Sequence, residues 1–184
     1  ELNLPINKKI LLFVGRFEKY KNPIKALEVL KILNEISFNY YLVMIGTGSM
    51  KEKVLNYVNE YKLNNNIIII DKIENNKIHN YYKASDVFLN FNDKEIFGMS
   101  VLEAMYQECK VIAISAPGPN YIIDNNKDGV IMKNFDYNKW AIEIDKVSNG
   151  NKLKLNPRNK IINVFNWNSI AEEYINLFLE IKRK

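Results

Sequence analysis

Glu95 and Glu103 stand eight positions apart in the stretch EIFGMSVLE, and what lies between them suggests their chemistry. The apolar run VFLN (Val87 to Asn90) just upstream reads as a buried strand, and SVLEAMYQ (Ser100 to Gln107) as a helix. Phe97-Gly98 then falls on the turn between them. A turn feeding a helix N-terminus offers unpaired backbone N–H groups and the positive end of a dipole, a seat for phosphate. Carboxylates beside such a seat do not bind phosphate themselves. They suit hydroxyl-rich groups such as a sugar or a ribose. The combination suggests a nucleotide-sugar.

Positioning these groups falls to alternating strands and helices. KILLFV (Lys9 to Val14) is a continuous apolar run, as a strand covered on both faces should be. Gly15 and a polar loop follow through Asn22, and Pro23 suits the first turn of a helix, IKALEVLKIL. YYLVMI (Tyr40 to Ile45), NIIIID (Asn66 to Asp71), VFLN, KVIAIS (Lys110 to Ser115) and GVIM (Gly129 to Met132) are the further strands. Between them lie the loop GTGS (Gly46 to Ser49) with the helix MKEKVLNYVNEYKL, and a short helix NKIHNYYKASD. Ala116 to Asn120, with two Pro and a Gly, reads as a loop, and a short helix is expected around Tyr121 to Asp124. The tail reads as helices YNKWAIEIDKVS, PRNKIINVF and NSIAEEYINLFLEIKRK, the last capped by Ser169 or Asn168 with Glu172 and Glu173 near its start. The aromatics Phe165, Trp167, Tyr174 and Phe178 are expected to pack in the core and between helices.

This alternation predicts an α/β fold, a Rossmann-like parallel sheet of about six strands with helices on both faces. Ligands of such folds bind at the carboxyl ends of the strands. Those ends are Gly15–Lys21, Gly46–Ser49, Asp71–Glu74, Phe91–Gly98 and Ala116–Asn120.

At 184 residues, 47% apolar and 12% aromatic, the chain fits a single domain with a real core (residues 1–184). No apolar run reaches the roughly 18–20 residues of a membrane span. The start ELNLPINKK carries neither a signal-peptide pattern nor an initiator Met, and the chain reads as a piece of a longer protein. One Cys, Cys109, excludes an intrachain disulfide framework, and with His79 as the only histidine no zinc or thiolate cluster is expected. Both residues read as packing or surface groups. A cytosolic location is the default. The net charge of +5 favours anionic partners. Basic residues are scattered among acids, however, which counts against nucleic acid.

The motifs now become recognisable. FVGRFEKYKNPIKALEVL, YLVMIGTGS, EIFGMSVLEAM, the stretch Val111 to Gly129 and FNWNSIAEEY occur in the order of one family. Over nearly its whole length the chain resembles the C-terminal, donor-binding domain of the retaining nucleotide-sugar glycosyltransferases of family 4, which have the two-domain GT-B architecture. EIFGMSVLE resembles that family's E-x7-E signature. The resemblance implies that Arg16 and Lys21 neutralise the donor diphosphate. It implies that Glu95 contacts the donor sugar and Glu103 binds the ribose hydroxyls. Phe97, Gly98, Met99 and Ser100 would form the turn whose amides meet sugar and phosphate. Ile73 falls where the family reads the base through main-chain groups. Glu95, Arg16 and Lys21 are the implied catalytic set, with no metal and no cofactor. The donor would be a nucleoside-diphosphate sugar, UDP- or GDP-linked, passed to an acceptor hydroxyl with retention. An N-terminal acceptor-binding domain of the same protein is the implied partner, so these residues alone would bind donor without appreciable transfer.

Many relatives act on lipid-linked or surface glycans, so the parent enzyme is expected to be cytoplasmic or peripheral at the membrane face, and the tail IKRK offers cations for anionic lipid. The sequence also departs from the family pattern. Asn22 stands where Gly is usual, Glu108 and Lys110 replace Gly and Pro, Pro117 replaces the first Gly of a pair, and Tyr121 replaces Glu. Two other readings stand beside it: a GT-B-type epimerase, whose histidine and acid set His79 alone does not supply, and a non-catalytic basic binding module.

Overall fold

The computed structural model describes residues 2–37, 39–150 and 155–182. The strands are β1 Lys9–Val14, β2 Tyr40–Ile45, β3 Ile67–Ile70, β4 Val87–Asn90, β5 Lys110–Ile114 and β6 Val130–Met132. Between and after them run α1 Pro23–Ile36, α2 Lys51–Glu60, α3 Asn75–Ala84, α4 Met99–Tyr106, α5 Pro117–Ile122, α6 Tyr137–Ser148, α7 Pro157–Val164 and α8 Trp167–Lys182. The six strands form one sheet in the order β3-β2-β1-β4-β5-β6, and every pairing is parallel. The chain is therefore an α/β, Rossmann-like domain with helices on both faces of the sheet.

The strands read as unbroken apolar runs because successive side chains enter opposite cores. Leu11, Phe13, Leu42, Met44, Leu89 and Ile112 face α1, α2 and α6. Ile10, Leu12, Val43, Phe88, Val111 and Ala113 face α3, α4, α5 and α7. Trp140 of α6 is fully buried. Its ring lies 4.3 Å from that of Phe91, and its indole N–H donates to the Asn134 carbonyl at 2.8 Å. The first residue after β4 is thereby anchored.

Two departures from the family pattern have a backbone cost. Asn22 (φ 53°) and Glu108 (φ 60°), both set against Gly by the resemblance drawn above, are left-handed. Asn tolerates that region, and the Asn22 amide also donates to the Phe91 carbonyl at 2.9 Å, tying the β1 and β4 loops together. Glu108 gains only an exposed contact from Asn156. Glu108→Gly should therefore stabilise the fold by about 0.5–1 kcal/mol, read as a higher urea midpoint at unchanged slope. Lys110, in place of Pro, donates to the Val147 carbonyl at 2.7 Å and so satisfies the end of α6.

Three sequence expectations are corrected. Ala116 to Asn120 is not a loop preceding a helix at Tyr121 to Asp124. The helix starts at Pro117, because Pro at the first position is pre-set for helical φ and sacrifices no hydrogen bond. The cap of α8 is neither Ser169 nor Asn168 but Asn166, whose Oδ1 accepts from the Ser169 N–H at 2.9 Å. And α8 buries none of its residues. Trp167, Tyr174 and Phe178 are 85%, 58% and 63% exposed. Of the four aromatics only Phe165 packs against the core, edge-on to Tyr121, while the rings of Tyr174 and Phe178 lie 6.3 Å apart on the open face of α8. The helical spacing of the others defines an apolar stripe without defining what covers it. Of the basic tail, Arg183 and Lys184 lie outside the described residues.

Candidate functional site at the carboxyl edge of the sheet

Because all six strands run parallel, their carboxyl ends share one edge. The strand order reverses between β1 and β4, the crevice where such sheets bind ligands. A narrow crevice opens there, lined among others by Val14, Lys21, Asn90, Phe91 and Ser100. A wider hollow lies at the opposite edge, around residues 2–10, Asn39 and Asp86, remote from the sequence-predicted site residues.

The loop after β1 carries Arg16 and Lys21. It is fastened to the β2 loop by backbone bonds from Phe17 N to the Thr47 carbonyl (2.9 Å) and from Met50 N to the Phe17 carbonyl (2.8 Å). Glu18 adds a side-chain clasp, accepting from the Ser49 hydroxyl at 2.6 Å and the Ser49 N–H at 3.1 Å. Those two bonds hold the Glu18 carboxyl below its ordinary pKa. The loops approach so closely that a Cβ on Gly46 would sit 2.0 Å from the Gly15 carbonyl oxygen. Arg16 is exposed. Its guanidinium donates to the Tyr20 hydroxyl.

Lys21 and Glu95 meet directly. Lys21 Nζ donates to Glu95 Oε2 at 2.7 Å, with both side chains largely covered. Asn92 Nδ2 donates to the same oxygen at 2.9 Å. The structure thus joins a cation and a carboxylate that the sequence places 74 positions apart. Gly98, with φ 99°, precedes the first turn of α4, a conformation that favours glycine. The amides of Met99 and Ser100 follow as the first of the helix, where N–H groups lack intrahelical acceptors. Ser100 is half-buried, whereas Phe97 and Met99 are exposed.

Glu103 lies on the exposed side of α4 and accepts a hydrogen bond at 2.8 Å from the buried hydroxyl of Tyr82. Ile73 follows β3 and packs half-buried against the second core. Its side chain behaves as ordinary packing. His79 is exposed on α3, away from this edge. Cys109 is buried before β5, and burial pushes its thiol well above the ordinary pKa.

The motif spacing does not point to Gly118, yet the structure places it at the site. Its N–H donates to the Glu95 carbonyl at 2.8 Å, and a Cβ there would lie 2.2 Å from the Phe97 carbonyl oxygen. The α5 start thus clamps the Glu95–Gly98 turn. The signal was present, since Gly118 is the glycine retained where Pro117 replaces its neighbour.

Among the described residues no group of three or more His, Cys, Asp or Glu is placed to hold a metal, and no helix is long and apolar enough to cross a membrane.

Comparison with known proteins supplies the class. The profile of the family "Glycosyl transferases group 1" matches residues 1–164, and the chain belongs to that family. It is 27% identical over 186 residues to a UDP-Gal:alpha-D-GlcNAc-diphosphoundecaprenol alpha-1,3-galactosyltransferase of Escherichia coli, covering 98% of this chain and 48% of that protein. It is 25% identical to a diNAcBac-PP-undecaprenol-linked alpha-1,4-N-acetyl-D-galactosaminyltransferase of Campylobacter jejuni, over 95% and 49% of the two lengths. The chain thus spans about half the length of these curated relatives. The fold matches a TarM variant of Staphylococcus aureus, solved with UDP, at a TM-score of 0.84 and 24% identity over 94% of this chain and 36% of TarM. It also matches a C-terminal domain of a group 1 glycosyl transferase (LpcC) of Francisella tularensis, at a TM-score of 0.77 and 24% identity, over 86% and 87% of the two chains.

Proposed function

We propose that the carboxyl edge of this sheet binds a nucleoside-diphosphate sugar and supports metal-independent transfer of the sugar to an acceptor hydroxyl with retention of configuration. The observation that carries this reading is the meeting, across the β1/β4 crevice, of a basic loop (Arg16, Lys21), a carboxylate (Glu95) and the glycine-headed start of α4. When the anomeric C–O bond breaks, the electron pair goes to the departing diphosphate. Arg16, Lys21 and the Met99 and Ser100 amides are the fixed positive groups available to stabilise it. Glu95 faces the developing positive sugar and Glu103 the ribose. The acceptor oxygen then bonds the anomeric carbon as its proton passes to an oxygen of the departing diphosphate. UDP- or GDP-sugars are the proposed donors. Relatives named for undecaprenol-linked glycans support an acceptor at a membrane surface. An acceptor-binding domain elsewhere in the polypeptide completes the cleft, so the share of the reaction assigned to these residues is donor binding.

Titration calorimetry with UDP, GDP and ADP, and then their sugar conjugates, tests the reading. Saturable binding of one diphosphate is expected, and none from any of the three overturns it. Glu95→Gln should act in opposite directions on the two ligand types. It releases Lys21 from its ion pair, so the bare diphosphate should bind about two- to fivefold more tightly. The added affinity contributed by the sugar should shrink, because a charged acceptor for its hydroxyls is gone.

A further inference from the structure

Tyr82 lies near the end of α3 and is fully buried. Its ring meets Phe88 edge-on, with centroids 5.6 Å apart. A buried phenol hydroxyl requires a partner. Here the partner belongs to another helix: Tyr82 donates to Glu103 Oε2 at 2.8 Å. Burial, and then the Glu103 charge, raise the Tyr82 pKa far above its ordinary value, so the hydroxyl keeps its proton at any working pH.

An exposed glutamate on a helix normally samples several rotamers, and fixing it costs side-chain entropy. A rigid donor on one oxygen removes part of that freedom before any ligand arrives. Oε2 is held, and Oε1 accepts no hydrogen bond from any described side chain. The phenol also has a single proton and no rotatable stem beyond its ring, so it selects one orientation of the carboxylate rather than merely neutralising it.

We propose that Tyr82 is a positioning residue, which pins Glu103 so that its second oxygen is presented to the ribose hydroxyls of a nucleoside diphosphate. The proposal rests on the donor-site reading above. It adds a residue, outside the E-x7-E stretch and without ligand contact, that sets how strongly the ribose is read.

The test is calorimetry on the 184-residue chain with UDP, GDP and ADP and their 2′,3′-dideoxy forms. In the wild type, the dideoxy form of the best-binding diphosphate should bind about tenfold more weakly than its parent. Tyr82→Phe keeps the ring and its packing. It should bind the parent diphosphate about five- to tenfold more weakly, leave affinity for the dideoxy form unchanged, and compress ribose discrimination below about threefold. A purely structural role would lower both affinities together. Tyr82→Met also removes the hydroxyl while filling the apolar site and leaving Glu103 intact, and it should reproduce this compression, so the test survives if Tyr82→Phe folds poorly. Combining Tyr82→Phe with Glu103→Gln should cost no more than Glu103→Gln alone. Full ribose discrimination in Tyr82→Phe or, where that variant folds poorly, in Tyr82→Met overturns the positioning role and leaves the donor site standing. A wild type that binds no diphosphate, or is indifferent to the ribose hydroxyls, overturns the donor reading and this proposal with it.

Discussion

Arg16→Ala should weaken binding of the cognate nucleoside diphosphate by about ten- to a hundredfold, and binding of the matching nucleoside monophosphate by less than about threefold. The difference arises from geometry. Arg16 immediately follows Gly15, in a loop held to the β2 loop by Phe17, Met50 and the Glu18–Ser49 clasp. Its cation is therefore fixed in place while remaining exposed to a ligand. Tyr20 holds the guanidinium by its hydroxyl, and the ring lies 5.7 Å from the guanidinium carbon. A fixed fork gains most from an acceptor with two phosphates, and Lys cannot reproduce that fork. Arg16→Lys should accordingly recover only part of the loss. Calorimetry with the di- and monophosphate checks the result. Equal weakening of both would assign Arg16 to the fold rather than to the phosphate.

The second large effect is expected from a single methyl group. Gly118→Ala places a Cβ 2.2 Å from the Phe97 carbonyl oxygen and 2.5 Å from its carbon. Both obstacles are backbone, so no side-chain rotation relieves the clash. Either the Phe97-Gly98 turn or the start of α5 must move, and the Gly118 N–H to Glu95 carbonyl bond goes with it. Overpacking of this kind costs about 1–3 kcal/mol, and the lost bond about 1 more. The unfolding midpoint should fall, and diphosphate binding should fall with it, because the Met99 and Ser100 amides lose their aim. Pro117→Ala, at the exposed neighbouring position, should spare binding. If Gly118→Ala binds like wild type, the clamp between α5 and the signature turn plays no part in the site.

Much of this architecture was legible because a parallel sheet covered on both faces writes its strands as short unbroken apolar runs. KILLFV, YYLVMI and VFLN coincide with β1, β2 and β4 to the residue. The α5 helix was hidden because Pro117 and Pro119 signal a loop unless the first helical turn is known to start there. The site was legible as a set of positions, since Glu95, Gly98 and Glu103 are close in sequence. Its internal contacts were not. Lys21 with Glu95, Tyr82 with Glu103, and Gly118 with the Glu95 carbonyl are tertiary meetings. Spacing along a chain cannot announce them. The exposed aromatics of α8 mark the same limit: periodicity shows a stripe and stays silent about its surroundings.

The join between β1 and β4 has a kinetic consequence as well. Ile10 donates to the Asp86 carboxylate across it, and Leu11 pairs with Val87. That bond links residues 76 positions apart in sequence. Within the first half of the chain, β1 to β2 and β2 to β3 close shorter loops, as β4 to β5 and β5 to β6 do in the second. Loop-closure entropy and contact order therefore favour two separately nucleated halves that dock late along this line. Arg16 and Lys21 belong to the first half, and Glu95, Gly98 and Glu103 to the second. On that ordering, a refolding chain recovers much of its helical circular dichroism before it can hold a diphosphate, and ligand capture reports the final docking event.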